Sequence, residues 1–249
     1  MSIDRIISNY DAVVRVIDAE ACEQDDRAYG GMVRAVKGKL QEFITEEIIK
    51  LAWSELGGRA DRLTINSSKL RLPIQSLYVD SIPNVCVRNY IRENIATYHY
   101  GLSVDKHIFI DGIFVMGIEC KAYTENAMIK RILVDFHLLK TLYPDISCHL
   151  FQLESQLGGD YSELPETVYG SKSTHSIMSY FNDVELHITT LLKGERDINN
   201  PIHKNFKPLE RSTLERAVEF TKSFLRAYVS KVTIKAAASS AEPQNAAIV

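Results

Sequence analysis

Glu119 and Lys121 are separated by one residue at the end of the apolar segment 113–118. If this segment is a β-strand, alternate side chains leave the same face, so a carboxylate and an ammonium group lie side by side. A second carboxylate near such a pair would suit metal-assisted hydrolysis of a phosphodiester. Two carboxylates can hold Mg²⁺ through oxygen, while the ammonium group offsets charge on the phosphate. The chemistry therefore depends on which second carboxylate the fold brings next to Glu119.

The residues before Glu119 predict a β-hairpin, because Asp111-Gly112 separates two apolar runs. Asp111 lies in the turn and, at roughly 3.3 Å per residue, more than about 20 Å from Glu119. Asp105 is the better candidate. A three-residue loop with the glycine in the left-handed conformation pairs Asp105 with Glu119 on one face. A two-residue turn pairs Asp105 with position 118 and turns it away, and a bulge would change either register.

Helices are predicted on both sides of the hairpin in the sequence, and a further strand after it. Residues 122–143 have helical periodicity, with Thr124 as the predicted cap, and residues 146–153 form a short apolar run typical of a buried strand. Upstream, apolar side chains recur at helical spacing within residues 29–57. The sequence thus predicts a long helix followed, after the hairpin, by a helix and a further strand.

With these elements around them, Asp105, Glu119 and Lys121 resemble the D-(x)n-ExK pattern of the PD-(D/E)xK nuclease superfamily, and the whole chain resembles a type II restriction endonuclease. The resemblance covers about residues 38–154, and no proline precedes Asp105, which departs from the pattern. It implies an α/β fold with a mixed central β-sheet flanked by helices. It also implies that all three residues are catalytic, that Asp105 and Glu119 bind Mg²⁺, and that the substrate is double-stranded DNA.

Lys37-Gly38-x-x-x-Glu42 resembles the first core helix of the same superfamily. The resemblance implies that Glu42 reaches the metal site. Glu46 and Glu47 are equally acidic neighbours without an assigned role, so the ordinary interpretation of Glu42 as a solvated helix residue stays open.

Two loops combine cationic side chains with Asn or Ser, the residue types that contact phosphates and base edges. They are residues 59–71 and 195–207. We predict phosphate contacts for Lys69 and Lys204, and base contacts for Arg71 and Asn200. The net charge of −3 does not exclude DNA binding, because phosphate neutralisation depends on where the cations lie.

At 249 residues, the chain is long enough for one elaborated domain or for two, and its length favours neither. We expect N-terminal helices and a catalytic core over residues 1–157, a C-terminal helical region over 158–235 packed on the same domain, and a disordered tail over 236–249. The C-terminal region includes helices over 176–192 and 208–231. Short strands are expected over 63–79.

The composition is that of an ordinary globular protein, with 45% hydrophobic and 24% charged residues. Neither a signal peptide nor an apolar run long enough to span a membrane is recognisable, so we expect a cytoplasmic protein. The four cysteines lack metal-ligand spacing and are predicted to be reduced core residues, while His107 would share the face of Asp105 and could touch the substrate.

A duplex has two strands, so a homodimer is expected. The alternatives are a repair or recombination nuclease of the same superfamily, and a DNA-binding module that does not cleave. The presence of all three of Asp105, Glu119 and Lys121 favours an enzyme.

Overall fold

The computed structural model describes residues 2–21, 27–162, 170–197, 199 and 206–229. The helices are α1 (Ile3–Ala21), α2 (Arg27–Glu55), α3 (Ser76–Ser81), α4 (Val85–Glu93), α5 (Asn126–Leu142), α6 (Lys172–Met178) and α7 (Arg211–Val229). The strands are β1 (Leu63–Asn66), β2 (Leu70–Pro73), β3 (His99–Leu102), β4 (Lys106–Ile110), β5 (Ile113–Thr124), β6 (Ser147–Ser155) and β7 (Leu186–Thr190). Among the described helices, none is long and apolar enough to cross a membrane.

The central sheet has five strands in the order β1-β4-β5-β6-β7. The pairs β1-β4 and β4-β5 are antiparallel, whereas β5-β6 and β6-β7 are parallel. Helix α5 makes the crossover from β5 to β6, as parallel neighbours require. The predicted α/β fold with a mixed sheet is therefore confirmed. Strands β2 and β3 form a separate two-stranded sheet.

Two apolar cores cover the two faces of this sheet. On one face, α1, α2 and α7 pack against β-strand side chains such as Ile108, Ile118 and Cys120. On the other face, α5 packs through Ile129, Ile132, Leu133, Phe136 and Leu139. The spacing of three and four residues places these side chains on one side of α5, so the helix is anchored by its apolar stripe.

The predicted helix over residues 176–192 is wrong. The chain forms α6, which ends at Met178, and then β7, which pairs in parallel with β6 at the edge of the sheet. The five residues of β7, LHITT, are too few for their apolar spacing to distinguish a strand from a helix. Residues 186–190 form a strand because they pair with the edge of β6.

Smaller differences occur elsewhere. Residues 76–79, predicted as strand, belong to α3, and Thr124 ends β5, while Glu125 occupies the N-cap position of α5. Of the cysteines, Cys120 and Cys148 are buried as predicted, whereas Cys86 is exposed. The predicted tail over 236–249 and Cys22 lie outside the described residues.

Candidate active site

The hairpin turn contains two residues, not the three that the preferred register assumed. Asp111 and Gly112 both have positive φ, 52° and 77°, and Ile110 pairs with Ile113. Positive φ at both central residues is the pattern of the tight turns that match strand twist, and Asp-Gly is a favoured pair for it. A regular ladder from this turn would rotate Asp105 away from Glu119.

A β-bulge in β5 turns Asp105 back towards Glu119. Ile108 pairs with Met116, but Phe109 pairs with Phe114, so Val115 is an extra residue in β5. Val115 and Met116 both pack into the core that α1, α2 and α7 share. Beyond the bulge the ladder shifts by one and Lys106 pairs with Ile118. One residue further, Asp105 lies opposite Glu119, as predicted, although by a different route.

Lys121 joins the two carboxylates. Its Nζ lies 2.8 Å from Asp105 Oδ2 and also donates to Glu119 Oε2. The backbone N–H of Cys120 donates to the same Asp105 oxygen at 2.7 Å. Asp105 is thus held by β5 itself, and the three predicted catalytic residues form one hydrogen-bonded group.

The group lies at the boundary between core and solvent. The Glu119 side chain is 8% exposed, while those of Asp105 and Lys121 are 31% and 30% exposed. Burial raises the pKa of Glu119, against the opposing charge of Lys121. Burial alone would lower the pKa of Lys121, but the carboxylates of Glu119 and Asp105 outweigh it and raise that pKa. The site therefore retains an ammonium group beside a carboxyl group that resists ionisation until a cation compensates it.

Asp135 on α5 is a further acid that the sequence reasoning missed. Burial raises its pKa; the charges of Arg131 and Lys121 oppose this effect and that of Asp105 adds to it. It is one residue from buried Phe136 and three from buried Ile132. The sequence did contain a signal for Asp135, namely its position at the margin of the apolar stripe of α5. An acid at that position borders the face of the sheet that the helix covers.

The structure does not bring Glu42 to this group. Glu42 Oε2 lies 3.6 Å from Lys106 Nζ, on the α2 side of the sheet, whereas Glu119 and Lys121 leave the opposite face. Within the described part of the chain, no three His, Cys, Asp or Glu side chains are clustered so as to hold a metal ion. The role of Glu42 stays a prediction.

His107 is fully buried and packs against Phe109 and Phe114. Its Nε2 accepts a hydrogen bond from the Val104 N–H at 3.3 Å. The expectation that His107 touches the substrate is therefore wrong, since the aromatic packing leaves it no access to solvent.

Of the predicted DNA-contacting residues, the structure describes Lys69 and Arg71, whose contacts are with residues other than the three candidate catalytic ones. Lys69 precedes β2, and its side chain passes along β3 next to Gly101. Arg71 lies on β2, exposed, with Nη2 3.2 Å from His99 Nδ1. Asn200 and Lys204 lie outside the described residues.

A mixed sheet flanked by helices, with two carboxylates and a lysine at one end of its antiparallel hairpin, defines a restriction-endonuclease-like α/β protein. The chain is 54% identical over 227 residues to the type II restriction enzyme DdeI of Desulfomicrobium norvegicum, across 89% of this chain and 95% of that protein. The chain therefore belongs to the type II restriction enzymes, which are sequence-specific endonucleases of double-stranded DNA. No protein-family model and no solved structure matches the chain.

Proposed function

We propose that this protein is a Mg²⁺-dependent type II restriction endonuclease of the PD-(D/E)xK superfamily, with Asp105, Glu119 and Lys121 as its catalytic residues. One observation carries the proposal, namely that the Lys121 ammonium group bridges the two carboxylates across a bulged hairpin. Hydrolysis of a phosphodiester requires both the positive charge and the oxygen ligands that this arrangement collects.

The donor set fits a hard cation. Asp105 uses Oδ2 for its contacts with Lys121 and the Cys120 N–H, and Glu119 uses Oε2 for its contact with Lys121. These contacts leave Asp105 Oδ1 and Glu119 Oε1 for a ligand, and Mg²⁺ is commonly bound through one or two carboxylates plus water and phosphate oxygens. We assign Asp105 and Glu119 as the ligands; Glu42, which contacts Lys106 on the α2 side of the sheet, would have to leave that contact to join them.

A bound divalent ion would lower the pKa of water and offset negative charge on the phosphate. Lys121 contributes a fixed positive charge that stabilises the charge developing on the phosphate oxygens. Asp105 orients the Lys121 ammonium group through its 2.8 Å hydrogen bond and is itself oriented by the backbone of β5. Asp105 and Lys121, which are 31% and 30% exposed, form the edge of the group that a DNA strand would approach.

Cleavage of both strands of a duplex by one site per chain requires two chains, which supports a homodimer acting on a site of matching symmetry. We assign phosphate contacts to Lys69 and Lys204 and base contacts to Arg71 and Asn200. As an enzyme that acts on DNA, it is expected to work in the cytoplasm.

The experiment is digestion of phage DNA by the purified protein with Mg²⁺, with chelator, and with Ca²⁺. We expect discrete fragments with Mg²⁺, no cleavage with chelator, and sequence-specific binding without cleavage in Ca²⁺. A smear instead of bands would support a repair or recombination nuclease, and binding without cleavage under every condition would support a DNA-binding module. Discrete fragments in the presence of chelator would contradict the metal-dependent mechanism.

A further inference from the structure

A long excursion separates the first two strands of the central sheet. Between β1, which ends at Asn66, and β4, which begins at Lys106, the chain forms β2, α3, α4 and β3 in succession. We call residues 70–102 the arm. Its strands β2 and β3 pair with each other and not with the five-stranded sheet.

The two helices of the arm have little core of their own. Helix α3 has six residues and buries Val79, and helix α4 has nine residues and buries Ile91. Isolated helices shorter than about 12–15 residues are marginal in water, and most helical stability in proteins comes from packing of an apolar face. Packing against a further apolar surface would stabilise α3 and α4.

The arm also exposes an unusual share of large apolar and aromatic side chains. Of the twelve that are exposed in the described part of the chain, seven lie between Leu77 and Tyr100. They are Leu77, Tyr78, Val85, Val87, Tyr90, Ile95 and Tyr100. Such a concentration of exposed apolar side chains in one segment is typical of an interaction site.

The charges of the two arm helices do not favour DNA as the occupant of the surface that these helices form; Arg71, to which a base contact is assigned, lies on β2. Arg92 Nη2 lies 2.5 Å from Asp80 Oδ1, and Arg88 Nη1 donates to the Ile82 carbonyl oxygen at 3.1 Å. Both arginines of α4 are therefore engaged within the arm, whereas phosphate contacts dominate the affinity of proteins for duplex DNA and depend on Lys and Arg. An apolar surface with internally paired charges suits a protein partner.

We propose that the arm is the dimerisation surface of this enzyme and that its occupant is the arm of a second copy. A tyrosine can bury about 150–250 Å², so three tyrosines and four aliphatic residues that are 43–81% exposed supply on the order of the 800 Å² that each partner contributes to a standard interface. A two-fold contact is self-complementary, so one patch of this size on each chain is sufficient.

The position of the arm links the contact to catalysis. Strand β3 ends at Leu102, three residues before Asp105. A two-fold contact between arms would therefore fix the spacing between the two active sites, as cleavage of both strands requires. The link to cleavage rests on the proposed endonuclease function. The association of two chains does not, since it can be measured without DNA.

The test is sedimentation equilibrium of the full chain without DNA, over a concentration series, for wild type, Leu77→Asp and Tyr90→Asp. Leu77 is 81% and Tyr90 62% exposed, so neither substitution removes core packing. We expect a wild-type dimer and dimerisation at least about 100-fold weaker in each variant, because a charge would be buried twice in the contact. Tyr180→Asp is the matched control, because Tyr180 is 86% exposed but lies outside the arm, and it should remain dimeric.

Circular dichroism and binding of a duplex in Ca²⁺ complete the experiment. A monomeric wild type, or variants that are folded and fully dimeric, would overturn the proposal. Variants that stay dimeric but bind the duplex more weakly would assign the arm to DNA instead. If the wild type is a dimer that the two arm substitutions dissociate but it cleaves no DNA with Mg²⁺, the proposed function fails while the dimer surface stands.

Discussion

Asp105 faces Glu119 across β4 and β5 because a single extra residue, Val115, lies between the turn and the site. The two-residue turn and the bulge each shift the ladder, and their combination restores the pairing that a three-residue loop would have given. Lys121, two residues beyond Glu119, then reaches both carboxylates. The geometry of the candidate active site is thus set by a β-bulge in β5.

Replacement of Lys121 by Ala should abolish cleavage while leaving the fold intact. The ammonium group is the fixed positive charge of the site, and removal of one such group costs roughly 10²–10³-fold in rate or more. Glu119→Ala should have an equal or larger effect, because it removes a proposed metal ligand. The measurement is plasmid cleavage with Mg²⁺, with circular dichroism of each variant.

Lys222→Ala is the control for charge removal, since Lys222 also bridges two acids, Glu55 and Glu219. It should retain wild-type cleavage. Full activity in a folded Lys121→Ala or Glu119→Ala protein would rule out the assigned roles.

Two aspartates of the hairpin should respond in opposite ways. Asp105→Asn should reduce cleavage by orders of magnitude, because the neutral amide binds a cation weakly and no longer pairs with Lys121 as an ion. Asp111→Asn should leave cleavage largely intact. It loses the ion pair with Arg62, 2.8 Å away, at a cost of up to about 1 kcal/mol, and Asn tolerates positive φ.

Cleavage assays and urea unfolding curves separate these two effects. If Asp111→Asn lost cleavage while Asp105→Asn retained it, the register and the metal assignment would both be wrong.

Salt titration of DNA binding should distinguish the two kinds of contact assigned to the loops. Lys69→Ala and Lys204→Ala should weaken binding equally on cognate and non-cognate duplexes and lower the salt slope by about one. Arg71→Ala and Asn200→Ala should cost roughly 1–3 kcal/mol on the cognate site and relax discrimination there. The titrations are performed in Ca²⁺ with both duplexes. Unchanged affinity in all four variants would show that recognition lies elsewhere.

The stability of the fold should decrease as the pH falls below about 6.5, in part because of His149. Its ring is buried beside His187 and Phe224, with centroids 5.0 and 4.6 Å away, and its Nε2 is 2.9 Å from Ser147 Oγ. Burial, reinforced by His187, lowers the pKa of His149 well below its ordinary value. In this pH range the unfolded chain binds a proton that the folded chain does not, so the free energy of unfolding falls by up to about 1.4 kcal/mol per pH unit for each such histidine.

Urea unfolding of His149→Gln between about pH 7.5 and 5.5 should show a shallower pH dependence than wild type. Equal slopes in wild type and His149→Gln would exclude His149 as a source of the acid sensitivity.

The sequence by itself determined the elements with strong local signals. The apolar stripes predict α1, α2, α5 and α7, and Asp111-Gly112 between two apolar runs predicts the hairpin that carries Glu119 and Lys121. These signals are the spacing of apolar residues and the residue types of a turn. Both are contained in short stretches of sequence and do not depend on the rest of the chain. The candidate catalytic residues could be named from them because two of the three lie on one strand.

Only the tertiary structure decided the remainder. Val115 is as apolar as its neighbours, so nothing local marks it as the bulged residue; the bulge depends on packing both Val115 and Met116 into the core that α1, α2 and α7 share. Strand β7 owes its conformation to the free edge of β6, and Asp135 owes its place beside the site to the way α5 lies on the sheet. Each of these features depends on contacts between residues distant in sequence, whose energies a local pattern does not contain.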